Sequence, residues 1–355
     1  MNAPVRTERF LLSAELRRAL VAQNTPSAVR YWADVVLSSA VAWGAFAGLF
    51  FVPVLSLSYV AFASVSVLAF LRAGSFMHEL AHRSPSEVPG LHAGWNLLIG
   101  VPGLVPSLMM HPHASHHRPA TFGSHHDPEY APVARWPRWR LLNSLLAYGA
   151  ISVFMPIRWG VVAPLSRLHP ALRRHAIEEL STADIARGYI RPLPSGEQAR
   201  TFALQEALCF GVVWGVLIGT LAGFIPWELH GHRIVVMGAV LMLNQARLLA
   251  AHEYDNDGDR VSPRDQSLDA ITLGGGALTE LVAPVGFRFH VLHHELPTAP
   301  YHALPGIHAQ LMAELPPDHP YRERVMDGMA SAWSRLWSRA ASNPAWPLPS
   351  WPLEQ

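Results

Sequence analysis

The sequence predicts an all-α integral membrane protein: four transmembrane helices in two hairpins, with a cytoplasmic helical cap carrying clustered histidines. Three observations predict it. Charged residues make up 15% of the 355, against roughly 25% in soluble domains. Mean hydropathy is +0.17, and uncharged residues collect in runs long enough to cross a bilayer. All 27 basic residues are arginine, which excludes lysine Schiff-base chemistry and P-loop phosphate binding. Against 26 acids they leave a net charge of +1, so no basic surface on the scale of nucleic-acid binding exists. Cys209 is the single cysteine, which excludes an internal disulfide, a Cys-ligated iron–sulfur cluster and a Cys-rich zinc module.

Residues 1–31 carry Arg6, Arg9, Arg17, Arg18 and Arg30 among apolar residues without a compact apolar core. This predicts an amphipathic segment on the cytoplasmic surface rather than a cleaved signal. Val35 to Leu71 holds no charge. As one helix it would reach about 55 Å, against a hydrocarbon core about 30 Å thick. It must therefore turn, and Pro53 with Ser56 and Ser58 marks the turn between spans at 32–52 and 57–82. A second pair, 205–227 and 233–252, turns at Pro226-Trp227-Glu228 and Gly231. Leu91 to Met110 is apolar but broken by Gly94, Gly100, Pro102, Gly103 and Pro106. It reads as a re-entrant or interfacial element whose irregular backbone is satisfied against protein. Residues 141–165 read as interfacial, because the uncharged run from Leu141 ends at Pro156-Ile157. The membrane domain thus covers 32–310. Residues 311–355, with Pro344, Pro347, Pro349 and Pro352, read as an extended cytoplasmic tail. Arginines crowd into 6–30, 72–200 and 247–288, and by the positive-inside rule both termini and the central loop are cytoplasmic.

Three clusters then stand out among 20 histidines: His78-Glu79-Leu80-Ala81-His82, His113-Ala114-Ser115-His116-His117 and His290-Val291-Leu292-His293-His294. Positions i, i+3 and i+4 share a helix face, so each cluster can aim two or three imidazoles at one point. A shuffled chain of this composition yields such a triple about 0.06 times, yet two occur. Asn244, Gln245, Arg247 and His252 end the fourth span on the same membrane side, with Gln245 and His252 seven residues apart on one helix face. Eight or nine imidazoles exceed the ligand set of one zinc. Imidazole also suits iron, and a dinuclear iron centre with positions open for oxygen is the economical solution. Carboxylates should then hold the ring N–H groups, with Glu79, Asp127, Glu129, Glu253 and Asp255 as candidates. Two rivals stand beside this reading. His-Glu-x-x-His is also the signature of zinc proteases, for which Asp257 or Asp127 would supply a further ligand, although both triple boxes then stay unexplained. A membrane metal transporter or sensor would need a line of acidic ligands through the spans.

At these residues the sequence resembles the membrane-bound fatty acid desaturase and hydroxylase superfamily, which has three histidine boxes on a four-span scaffold. The likeness runs from about Phe76 to about His308. It includes Thr121-Phe122-Gly123, Asp127-Pro128-Glu129-Tyr130, Asn244-Gln245-Ala246-Arg247, Ala251-His252-Glu253-Tyr254, Pro284-Val285-Gly286-Phe287-Arg288 and Pro297-Thr298-Ala299-Pro300-Tyr301-His302, and it is nearest to bacterial desaturase-like members. The resemblance implies two iron ions held by His78, His82, His113, His116, His117, His290, His293 and His294. His252 matches an additional ligand of some acyl-CoA desaturases. Those enzymes also carry an asparagine one turn earlier, where this chain has Leu248. His111, His125 and His126 lie beside the second box outside the pattern; His302 and His308 read as local groups. The implied activity is O2-dependent oxidation of an unactivated C–H bond in a lipid or fatty acyl chain, foremost desaturation, with hydroxylation or ketolation of a lipid such as a carotenoid as the alternative. A substrate groove lined by Phe76, Trp95 and Trp214 is expected. No His-Pro-Gly-Gly haem signature is present, and Gly274-Gly275-Gly276 lacks the context of a dinucleotide fold. Electrons must come from a separate ferredoxin, rubredoxin or cytochrome with its reductase. Arg118, Arg135, Arg138 and Arg140 are candidates to steer such a donor or to bind anionic lipid. The implied location is the bacterial inner membrane, with the boxes and termini cytoplasmic.

Overall fold

Serine caps and a proline break set the helices that carry the apolar runs. In the computed structural model, which describes residues 10–110, 113–118, 120–124, 126–182, 189–256 and 261–342, Ser27 and Ser56 start the Ala28–Gly48 and Leu57–His82 helices. Their side chains accept from the N–H of Arg30 and Tyr59. Between them the chain runs through a 3₁₀ turn, Pro53 and a left-handed Leu55 at φ 66°. The chain forms two compact units. The span unit comprises Ser27–His113 and Trp139–Ala246; a companion unit comprises the described residues of Met1–Pro26, Ala114–Arg138 and Arg247–Pro352.

In the span unit the first two helices pack through aromatic edges. Trp43 meets Phe70 at 4.8 Å between ring centroids and Tyr31 meets Phe76 at 6.1 Å, while Ser66 Oγ donates to the Ala42 carbonyl at 3.1 Å. The broken stretch 91–110 forms a helical turn Leu91–Trp95, a π-turn Asn96–Gly100 and a 3₁₀ turn Ser107–Met110. Side chains satisfy its irregular backbone: Asn96 Oδ1 accepts from Ser107 N at 2.9 Å, and Gln205 Oε1 accepts from Leu108 N at 2.8 Å. Trp95 Nε1 donates to the Ala73 carbonyl at 2.7 Å and Trp159 Nε1 to the Leu104 carbonyl at 2.8 Å. These bonds satisfy backbone groups that the irregular turns leave without helical partners.

Four helices are long and apolar enough to cross a membrane: Ala28–Phe51, Leu57–His82, Arg138–Ser166 and Gly196–Leu221. This set differs from the sequence expectation in two places: Arg138–Ser166 is among the four, and the expected span 233–252 is not. Pro156 does not end the third helix. It sits inside Arg138–Ile157, and a π-turn at Arg158–Val162 carries the chain on to Ser166; the Ser152 carbonyl, which the proline leaves without a backbone donor, accepts instead from Arg233 Nη1 at 2.9 Å. The uncharged run expected to lie in the interface is therefore part of a 29-residue helix. Glu228–Leu249 is also helical, at 22 residues, but it is not among the four.

In the companion unit, Leu11, Leu12 and Leu20 pack with Val291, Leu292 and Leu296 in one apolar cluster, and Ala332 joins Ala250, Ile271 and Ala283 in another. Residues within the two terminal segments thus form part of this unit's core. The region after 311, expected to be extended, contains helices at Pro320–Glu323 and Met329–Ser342. The prolines from Pro344 onward lie outside the described residues, as do His111, His125 and Asp257.

Candidate metal centre

The third box forms the short helix His290–Glu295, whose i, i+3, i+4 spacing turns His290, His293 and His294 inward; all three are buried. The second box begins in a single turn, His113–His116. His252 arrives differently. The preceding helix ends at Leu249, and His252 lies in an extended segment that forms an antiparallel bridge with Ala270, with Ile271 N donating to the Ala251 carbonyl at 2.8 Å. The helix face expected to join it to Gln245 does not exist, because the helix stops three residues short of His252.

Four of these rings make a cage within the companion unit. One nitrogen each of His116, His252, His290 and His294 lies within 4.8 Å of all the others, and all four residues are buried. His290 Nε2 lies 2.8 Å from His252 Nε2 and 3.2 Å from His294 Nε2. A metal–nitrogen bond of about 2.1 Å puts neighbouring ligand nitrogens about 3.0 Å apart in octahedral geometry and about 3.4 Å apart in tetrahedral geometry. The His290–His252 and His290–His294 separations lie close to those values. Neutral imidazoles converging this closely cannot all satisfy one another with the protons they carry, whereas a cation takes every lone pair at once.

Two carboxylates hold the outer nitrogens. Asp127 meets His116 Nδ1 with both oxygens at 3.0 Å, and Asp269 Oδ2 meets His252 Nδ1 at 3.0 Å. This arrangement fixes the tautomer that leaves Nε2 as the lone-pair donor. Burial lowers the His116 pKa, but the charge and hydrogen bond of Asp127 more than counter it, leaving the group above its ordinary value. Burial keeps His252 below its ordinary value despite Asp269. Burial and the neighbouring imidazoles push His294 well below, which favours the neutral ring a metal needs.

Within the span unit, His78, His82 and His113 have ring centroids 4.4 to 5.0 Å apart, with His82 Nε2 2.8 Å from His113 Nε2. Within the companion unit, His117 Nε2 lies 2.9 Å from His293 Nε2. Of the expected carboxylate partners, Asp127 holds a box ring. Glu79 instead accepts from Tyr31 Oη and lies 4.0 Å from Arg83 Nε, so the zinc-protease reading finds its general base committed to an anchor between two helices. Glu253 binds Arg335 and Arg339, and Asp255 binds Arg339. The Glu129 backbone N–H caps Asp127 at 2.9 Å. Asp269 was not foreseen. It lies 17 residues from His252, and only the chain reversal between them, which no local spacing announces, brings them together.

Two apolar cavities of the span unit share part of their lining. The smaller, about 90 Å³, is lined by Gly74, Met77, Trp95 and Asn244, among others. The larger, about 420 Å³, is lined by Trp43, Phe46, Val213 and Val216, among others. Phe70, Gly103 and Met237 line both. Of the three aromatics expected along a groove, Trp95 lines the smaller cavity; Phe76 packs on Tyr31, and Trp214 Nε1 donates to the Gly160 carbonyl at 3.0 Å.

Comparison with known proteins agrees with this geometry. A family model described as fatty acid desaturase matches residues 56–325. A protein from Caulobacter vibrioides named ceramide hydroxylase is 37% identical over 317 residues, covering 89% of this chain and 90% of its own length. No solved structure matches.

Proposed function

Because the chain belongs to the fatty acid desaturase family, we propose that it is an O2-dependent di-iron oxidoreductase of the membrane that hydroxylates the hydrocarbon chain of a lipid. The observation that carries this reading is the buried cage of four imidazoles, two of them held by carboxylates. Desaturation, foremost in the sequence reading, becomes the second choice. The family's description still favours it, whereas the name of the Caulobacter relative favours hydroxylation and makes a ceramide-like lipid the substrate to try first.

The proposed iron ligands are His78, His82, His113, His116, His117, His252, His290, His293 and His294. Two irons would supply the power to oxidise an unactivated C–H bond with O2. Hydroxylation balances as R–H, O2, two electrons and two protons giving R–OH and water, so the electrons require a separate ferredoxin, rubredoxin or cytochrome with its reductase. The chain's own residues do the rest. Asp127 and Asp269 keep the Nδ1 protons of His116 and His252 in place. The cavities around Phe70 and Met237 offer apolar walls to a hydrocarbon chain, and the larger one has a volume in the usual range for ligand pockets. The proposed setting is the bacterial inner membrane, with the histidine boxes and both termini on the cytoplasmic side.

The test is lipid mass spectrometry on ceramide-containing cells with and without the protein. A gain of one oxygen supports hydroxylation; a loss of two hydrogens moves the assignment to desaturation. Unchanged lipids, in cells where the protein is inserted and loaded with iron, would reject lipid oxidation.

A further inference from the structure

The residues immediately after two cage ligands are buried glutamates, and each is held by a terminal segment outside the 56–325 family match. Glu295 follows His294 and is fully buried. Its Oε1 accepts from Leu11 N at 3.0 Å and Ser267 Oγ at 2.6 Å, its Oε2 accepts from Leu12 N at 3.2 Å, and Arg17 Nε donates to its carbonyl at 2.9 Å. Leu11 and Leu12 are 2% exposed and pack beside Val291 and Leu292 of the same short helix. Glu253 follows His252 and is 4% exposed. Its Oε2 accepts from Arg335 Nε at 2.9 Å and Arg339 Nη1 at 2.6 Å, and Arg339 Nη1 also donates to its carbonyl at 2.8 Å.

Charge-assisted bonds to a buried carboxylate are strong and directional. A side chain fixed at position i+1 fixes the backbone that aims the side chain at i. The extended segment at His252 and the single helix end at His294 have little regular structure of their own to do this. We propose that residues 10–23 and 329–342 are positioning elements of the metal cage: through Glu295 and Glu253 they set the direction of the His294 and His252 rings. The terminal segments, expected from sequence to lie outside the working domain, thereby become part of it. The proposal rests on the cage being a metal site.

The test uses full-length protein in lipid nanodiscs loaded with cobalt(II), whose visible ligand-field spectrum reports ligand geometry and whose removal by a chelator reports retention. Two variants address the two clasps: Glu295→Gln, and the double variant Arg335→Ala with Arg339→Ala. Expected in each is a changed cobalt spectrum and loss of one cobalt at least tenfold faster than in the unsubstituted protein, with unchanged far-UV circular dichroism. The conservative double variant Arg335→Lys with Arg339→Lys should retain cobalt longer than the double alanine variant. A merely structural clasp would lower the thermal midpoint while leaving the cobalt spectrum and the chelation rate at 10 °C within about twofold, and that result overturns the proposal. Should Glu295→Gln fail to fold, the arginine pair decides, since its side chains are 52% and 27% exposed. An unsubstituted protein that binds no cobalt would strike the metal centre itself; one that binds it normally beside unaffected variants would strike the clasp alone.

Discussion

Replacing Asp269 with Asn tests the cage at the point sequence reasoning missed. The Asp269 side chain is 9% exposed, and its Oδ2 lies 3.0 Å from His252 Nδ1. Its Oδ1 accepts from Tyr130 Oη at 3.0 Å and from Asp255 N at 3.2 Å. A carboxylate serves both sides as acceptor, whereas an amide has one oxygen. If the Asn oxygen faces His252, its NH2 meets the Asp255 N–H, and only Tyr130 can turn its hydroxyl to accept. If the amide flips, His252 Nδ1 loses its acceptor and with it the tautomer that presents Nε2. Either way the ring loses the adjacent charge that raises its basicity. Loss of such a partner to a metal-bound histidine costs 10- to 100-fold in affinity, about 1.4 to 2.7 kcal/mol. Competition between the reconstituted protein and a chelator of known iron(II) affinity measures this directly. Affinity for both metals within twofold of the unsubstituted protein would refute the claim that Asp269 orients a ligand.

Three further outcomes are expected. His252→Ala should remove one metal from the cage, leaving about one iron per chain by elemental analysis; two retained irons would exclude His252 as a ligand. Asp127→Asn removes a negative charge from the buried His116, so the reduced metal gains relative to the oxidised one and the reduction potential rises; an unchanged or lower value in a spectroelectrochemical titration contradicts this. Met237→Trp puts a large side chain where both cavities are lined, at an overpacking cost of about 1 to 3 kcal/mol, and turnover of long-chain lipid should fall at least fivefold with metal content unchanged. Equal turnover would show that the chain binds elsewhere.

What could be read in the sequence was whatever local spacing encodes. The uncharged run from Val35 to Leu71, broken at Pro53, sets two helices, and the i, i+3, i+4 boxes set rings on common faces. The structure departs from expectation where the deciding partner is distant or where a local rule has an exception. Pro156 reads as a stop, but a π-turn carries the helix past it. His252 reads as the continuation of a helix, but Leu249 ends that helix and a bridge to Ala270 aims the ring. Asp269 and the clasps on Glu295 and Glu253 join residues 17, 283 and 86 positions apart. No periodicity in a single sequence reports such pairs, because each is fixed by how the whole unit closes.

Four acids near the cage, Glu295, Glu253 and Asp127, which are buried, and Asp269, which is partly buried, differ in how their charge is met. Glu295 has Arg17 3.8 Å from its Oε2, and Glu253 has Arg335 and Arg339, so these two are balanced without any metal. Asp127 and Asp269 are not. Among the described residues their only ion-pair partners are His116 and His252; their other bonds come from the N–H groups of Gly123, Glu129 and Asp255 and the hydroxyl of Tyr130. A buried carboxylate facing a neutral ring is an uncompensated charge costing several kcal/mol, and two of them make a formal charge of about −2 around four imidazoles. A divalent cation held by His116, His252, His290 and His294 would be balanced by these two carboxylates acting through the His116 and His252 rings.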